Sequence, residues 1–274
     1  MGRLTRLAGF TAVTLLFGVL LVAVRLQWVP LESVDRGIAD GLNHAVAGRP
    51  GVVRAMKFLS LLGSYGVLSW LVGIAVLLLL VRRRFRLALY LLVAGAGAII
   101  LDPTLKLAVG RLRPVVADPV AVGGGNSFPS GHALGSSIVY GALLLVFVPA
   151  LPRRARVPVI GALAVLIGLI GFSRLALGVH FLSDVVGAWC LAASWLGLTA
   201  YAFELWRTER GLAPTEPLTE GLEPEAADDL KPTGPPITVD AVGGGWAAAG
   251  AVVAWVLTFG PYAVWMPTWS PGVG

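Results

Sequence analysis

The sequence predicts an all-α, polytopic membrane protein with a six-helix core and a seventh, C-terminal helix. Three observations carry this. Of the 274 residues, 57% are hydrophobic and 13% charged, and mean hydropathy is +0.82; a soluble domain would have to keep far more of its surface polar. Apolar stretches long enough to cross a bilayer recur along the chain. Short arginine clusters mark alternate ends of those stretches, the pattern that fixes orientation in a membrane.

The first span covers residues 7–25, behind Arg3 and Arg6. A secretory leader is its rival reading. The apolar stretch is long for a leader and no small-x-small cleavage pattern follows, so an uncleaved helix is expected. Further spans fall at 61–81, 87–107, 133–151, 157–174, 183–204 and 242–260. The single cysteine, Cys190, lies inside one of them, which leaves no disulfide framework and no cysteine metal site.

Residues 36–59 mix Ile38, Leu42, Val46, Val52, Met56 and Leu59 with Asp40, His44, Arg49, Arg54 and Lys57. That mixture suits short helices resting at the membrane surface, or plain linkage. Residues 207–240 carry Glu209, Glu216, Glu220, Glu223, Glu225, Asp228 and Asp229 among prolines, and read as a disordered cytoplasmic linker. Residues 241–274 hold the seventh span. Gly243, Gly244, Gly245 and Gly250 there suit close helix contact, and Trp265 and Trp269 suit the lipid interface. The core is thus expected over residues 1–206, with the linker and last span as additions.

A formal net charge of +6 raises nucleic acid as a partner, but the basic residues sit at span ends and form no continuous basic face, so none is expected. Arg82, Arg83, Arg84 and Arg86 join the second span to the third. Arg153, Arg154 and Arg156 join the fourth to the fifth, and Arg207 and Arg210 follow the sixth. If every span crosses, all of these share the N-terminal side, which should be cytoplasmic.

On the opposite face polar residues gather in three places. The first runs from Lys106 to Arg113-Pro114. The second is Pro129-Ser130-Gly131-His132, just before the fourth span. The third is Ser173-Arg174, then His180 and Asp184. Lys106, Arg113 and Arg174 bring together three positive charges, two of them guanidiniums able to fork around phosphate oxygens. Ser130 and the N–H of Gly131 lie at a helix start, where unpaired donors favour an anion. His180 and Asp184 are four residues apart, joined by a shared helix face or by a turn. A carboxylate on one ring nitrogen fixes the tautomer and frees the other to attack phosphorus. His132 can then protonate the departing oxygen and later activate water. Taken singly, each residue has a plainer reading as an interfacial anchor or helix cap; their placement on one face argues against it.

The three clusters resemble the signature motifs of the type 2 phosphatidic acid phosphatase family, also called the PAP2 or lipid phosphate phosphatase family. Its first motif is Lys, six residues, Arg-Pro; its second Pro-Ser-Gly-His; its third Ser-Arg, five residues, His, three residues, Asp. Every specified position is present. The resemblance implies the family's helical fold in a bacterial cell membrane, a membrane lipid phosphate as substrate, and a phosphohistidine intermediate on His180. It further implies general-acid work by His132 and phosphate binding by Lys106, Arg113, Ser130, Gly131 and Arg174, with Pro114, Pro129 and Ser173 in support. Asp102, one turn before Lys106, either positions that lysine or is a simple cap or solvent-exposed acid.

No metal and no cofactor are expected, because the histidines are separated by basic residues that repel a cation. An undecaprenyl diphosphate is the favoured substrate, with phosphatidylglycerol phosphate or phosphatidic acid as alternatives. A phosphotransferase or haloperoxidase built on a similar pocket, and a non-enzymatic lipid transporter or scaffold, are the competing classes.

Overall fold

The computed structural model describes residues 3–231, so the expected seventh span lies outside the described residues. The described residues are helix and turn: α1 (Arg3–Arg25), α2 (Val29–Ala47), α3 (Pro50–Leu62), α4 (Tyr65–Val81), α5 (Phe85–Val109), α6 (Gly131–Phe147), α7 (Arg153–Ala176), α8 (Leu182–Glu209), α9 (Pro217–Glu220) and α10 (Ala227–Leu230). Among the described residues six segments are long and apolar enough to cross a membrane, the number expected for the core. One is longer than foreseen: α3 and α4 form a 32-residue apolar run, Pro50–Val81. A break at Gly63-Ser64, where the Ser64 side chain caps α4 by accepting from the Val67 N–H, divides it.

The bundle is built around α6, the most enclosed of the spanning helices. Leu134, Ile138, Ala142 and Val146 of α6 meet Leu87, Leu91, Ala94 and Ala98 of α5 and Val185, Ala188 and Ala192 of α8 in one buried cluster. Small residues let the backbones approach, since packing rather than water exclusion holds helices together in lipid. Gly97 shows how tightly: a Cβ there would lie 2.1 Å from Nε1 of Trp195, which donates to the Ala94 carbonyl of α5 at 3.1 Å. The outer faces carry Leu15, Leu77, Ile99 and Val165, all exposed. Such faces suit hydrocarbon, where a helix pairs most of its backbone polar groups within itself.

Two segments beyond the expected spans pack onto the bundle. Residues 36–59 form most of α2 and α3, and α2 packs on α7 and α8, burying Asp35, Ala39, Asn43 and Val46. At the other end of the bundle, the acidic segment after α8 folds back as far as it is described. Leu222, Ala226 and Leu230 join the main buried cluster, and the Leu222 N–H donates to the Leu145 carbonyl at 3.0 Å. Arg207 forks onto Glu225 at 2.7 and 3.0 Å, and Arg84 pairs with Asp229. Disorder was expected because acidic residues and prolines dominate. The arginines of the helix connections supply the counter-charges that residue counting within the segment omits, and the compact unit runs to Leu230.

Candidate active site

The site lies at the end of the bundle opposite those arginines, where α5 and α7 finish and α6 and α8 begin. α5 ends at Gly110, whose left-handed φ of +70° turns the chain sharply, as glycine allows without a steric cost. The loop that follows is pinned from several sides. The Ser127 N–H donates to the Arg111 carbonyl at 2.7 Å, Asn126 donates to the Lys106 carbonyl at 2.7 Å, and Asn43 of α2 exchanges two hydrogen bonds with the Asp118 backbone. Phe128-Pro129 is a cis peptide. Ser130 is the N-cap of α6, and Gly178, at φ +70°, turns α7 toward His180.

His180 is buried and lies between two charged groups. Nη1 of Arg113 is 3.0 Å from its Nε2. A guanidinium is never deprotonated in a protein, so Nε2 is the acceptor and the proton sits on Nδ1. That nitrogen faces Oδ2 of Asp184 at 3.4 Å, a contact just outside hydrogen-bond geometry, of the kind that tightens when a substrate is bound. Burial pushes the His180 pKa down to about 4, with Arg113 and Arg174 adding to the effect and Asp184 opposing it. Burial also lowers Arg113, against the upward pull of Asp184 and Asp102. His180 is therefore a neutral imidazole with its Nε2 lone pair turned toward the cationic groups.

The other motif residues converge on the same place. Lys106 donates to Asp102 at 2.8 Å, and Tyr65 donates to the same carboxylate oxygen at 2.8 Å. Gly131 sits against this group: a Cβ there would meet Tyr65 Oη at 2.8 Å and the Asp102 oxygens at 3.0 and 3.1 Å. Arg174 donates to Ser60 Oγ. His132 lies within electrostatic reach of Arg174, His180, Lys106 and Arg113. Ser173 is turned away and donates to the Ile170 carbonyl of its own helix at 2.6 Å. Ser130 Oγ and Arg174 Nε are buried without a hydrogen-bond partner within the protein, a costly arrangement unless those groups serve a ligand. Both could serve an anion as fixed donors.

His180 and Asp184 do not share a helix, because α8 starts at Leu182; the Phe181 N–H closes the turn onto Asp184 Oδ2 at 2.8 Å. Sequence reasoning missed Ser60, Tyr65, Ser127, Ser183, Asp35 and Arg111. One signal was available: Asp35, Ala39 and Asn43 recur every four residues, the spacing of one helix face, and all three are buried in α2.

Comparison with known proteins fits this geometry. The PAP2 superfamily model matches residues 85–207. Decaprenylphosphoryl-5-phosphoribose phosphatase of Mycolicibacterium smegmatis is 36% identical over 168 residues, covering 57% of this chain and 83% of that protein. The chain belongs to the PAP2 superfamily. Phosphatidylglycerophosphatase B of Bacillus subtilis is 29% identical over 188 residues, 66% of this chain and 89% of that one. The crystal structure of a transmembrane PAP2 type phosphatidylglycerolphosphate phosphatase from Bacillus subtilis superposes with a TM-score of 0.65 at 28% identity, over 72% of this chain and 96% of that chain. This PAP2 protein is accordingly a multi-pass bacterial membrane enzyme, a phosphatase acting on lipid phosphates. Among its described residues no group of three or more His, Cys, Asp or Glu side chains is arranged to hold a metal ion.

Proposed function

We propose that the protein removes the terminal phosphate of a polyprenyl-linked lipid at the outward leaflet, without a metal, through a phosphohistidine on His180. The observation that carries this reading is the 3.0 Å contact between Arg113 and His180 Nε2, which fixes the tautomer a nucleophile needs. The phosphoryl group would draw the guanidinium onto its own oxygens and uncover the lone pair. Nε2 then attacks phosphorus as the bond to the leaving oxygen breaks, and His132 donates a proton to that oxygen. Asp184 stabilises the positive charge that develops on the imidazole. In the second step His132 takes a proton from water, the water oxygen attacks phosphorus, and inorganic phosphate leaves as His180 is restored. Lys106, Arg113, Arg174, Ser130 Oγ and the Gly131 N–H hold the equatorial oxygens throughout.

The polyprenyl preference rests on the decaprenylphosphoryl-5-phosphoribose phosphatases, which are 35–36% identical, against 29% for the phosphatidylglycerophosphatase. Undecaprenyl diphosphate remains the favoured member of this class. The outward reading is supported by the arginine clusters at the far end of the bundle, the end that the positive-inside rule would put in the cytoplasm together with the N-terminus. Lipid chains can then stay in the bilayer while the head group docks.

Purified protein should release phosphate from a panel of undecaprenyl diphosphate, a polyprenyl sugar phosphate, phosphatidylglycerol phosphate and phosphatidic acid, fastest from a polyprenyl substrate. Glycerolipids turning over faster would reverse the substrate assignment. Acid-labile label from a radioactive substrate should be trapped on the wild type and be absent from His180→Gln; label retained by that variant would move the nucleophile elsewhere. Single cysteines at Ala121 and Arg84, in a Cys190→Ala background, test orientation. Only Ala121 should react with an impermeant thiol reagent on intact cells, and the opposite pattern would turn the site inward.

A further inference from the structure

Asp184 is held from behind by residues that none of the three motifs specifies. Arg111 reaches Asp184 Oδ1 through Nη1 at 2.7 Å and Asp35 Oδ2 through Nη2 at 2.8 Å. One guanidinium thus bridges two buried carboxylates, 1% and 0% exposed, with its plane over the Phe181 ring at 4.3 Å. Asp35 also fastens the start of α8: its Oδ1 accepts the Ser183 N–H at 2.9 Å, its Oδ2 accepts the Ser183 hydroxyl, and that hydroxyl is 2.7 Å from Arg111 Nη1. With Oδ1 taken by Arg111, Asp184 turns Oδ2 toward Ser127, the Phe181 N–H and His180 Nδ1.

We propose that Asp35 and Arg111 are positioning residues for the reaction: Arg111 orients Asp184 against His180, and Asp35 offsets the charge Arg111 brings. The inference rests on the reading of His180 as nucleophile. Its physical basis is charge arithmetic in a low-dielectric site. Arg111 beside Asp184 alone makes a neutral pair, with little left to stabilise a cationic imidazole. Asp35 returns the trio to one net negative charge while Arg111 keeps its geometric role. Only a two-pronged side chain can hold both carboxylates at once. The charged groups facing His180 are otherwise Arg113 from the loop and Arg174 from α7, with His132 of α6 alongside. These add positive charge that the trio must counter.

Opposite shifts in pH dependence test this. The variants are Asp35→Asn, Arg111→Gln, their combination, and Arg111→Lys. Each is purified in detergent, checked for its thermal midpoint, and assayed from pH 3.5 to 8 on short-chain phosphatidic acid. Arg111→Gln leaves two carboxylates near His180, so the acid limb of kcat/KM should move up by about one pH unit. Asp35→Asn leaves Arg111 unopposed, so its limb should move down or stay while kcat falls at least about tenfold. The double variant should bring the limb back toward wild type with a kcat above that of Asp35→Asn. Arg111→Lys keeps the charge but loses the fork, so its limb should hold while kcat falls. If Asp35→Asn does not fold, the Arg111→Lys and Arg111→Gln arms still decide. Limbs moving in one direction, penalties that multiply, or wild-type kcat in Arg111→Lys would overturn the proposal. The His180→Gln labelling experiment separates the two failures. Label lost there with unmoved limbs sinks the positioning role alone, whereas label retained sinks the nucleophile assignment.

Discussion

Gly131→Ala tests how closely the helix start is fitted to the groups around it. The added methyl carbon would lie 2.8 Å from Tyr65 Oη and 3.0 and 3.1 Å from the Asp102 oxygens. Carbon and oxygen ordinarily sit about 3.3–3.6 Å apart even in favourable C–H···O contacts, so about half an ångström must be found. Asp102 cannot readily supply it: it is 5% exposed and holds both Lys106 and Tyr65. Whatever moves shifts the Gly131 N–H, Lys106, or both. Misplacement by about 1 Å can cost about 100-fold in rate, so half of that should lower kcat about tenfold. The overpacking itself should cost about 1–3 kcal/mol of stability. Initial rates of phosphate release, paired with a thermal midpoint in the same detergent, read both effects. Tyr65→Phe removes the nearest oxygen, so the double variant should lose less activity than the product of the single losses. Full activity in Gly131→Ala, or losses that multiply cleanly, would refute the reasoning.

Three further outcomes follow. The unfolded chain binds a proton at His180 near its ordinary pKa of about 6.5, while in the folded protein that pKa is pushed down to about 4. Its stabilising contribution should be complete above about pH 6.5 and lost as pH falls through about 4; thermal midpoints should show it, and a His180→Gln profile parallel to wild type would remove it. Leu222→Ala, at a residue 1% exposed in the main cluster, should cost about 2–5 kcal/mol and open residues 210–231 to protease before the helices, and an unchanged digestion pattern would show that the segment is held by its ion pairs instead. Activity should survive EDTA and be inhibited competitively by vanadate; a loss on chelation that a defined ion restores would contradict the metal-independent reading.

The six core spans, their order and the three motif clusters were legible in the sequence because each is a local signal. A bilayer demands long apolar helices whatever their neighbours, and a motif's spacing holds its residues a few positions apart along the chain. His180 with Asp184, and Lys106 with Asp102, fall in this class. Tertiary structure alone decided which distant side chains complete the site. Asp35 meets Arg111 and Ser183, Tyr65 meets Asp102, and Ser60 meets Arg174, across separations that no periodicity encodes. The acidic segment after α8 teaches the same point at the other end of the bundle. Its composition argued for disorder, yet Arg84, Arg156 and Arg207 receive it and Leu222 finds the core. An ion pair or a buried contact depends on where its partner lies in space, and only the packed helices bring these partners together.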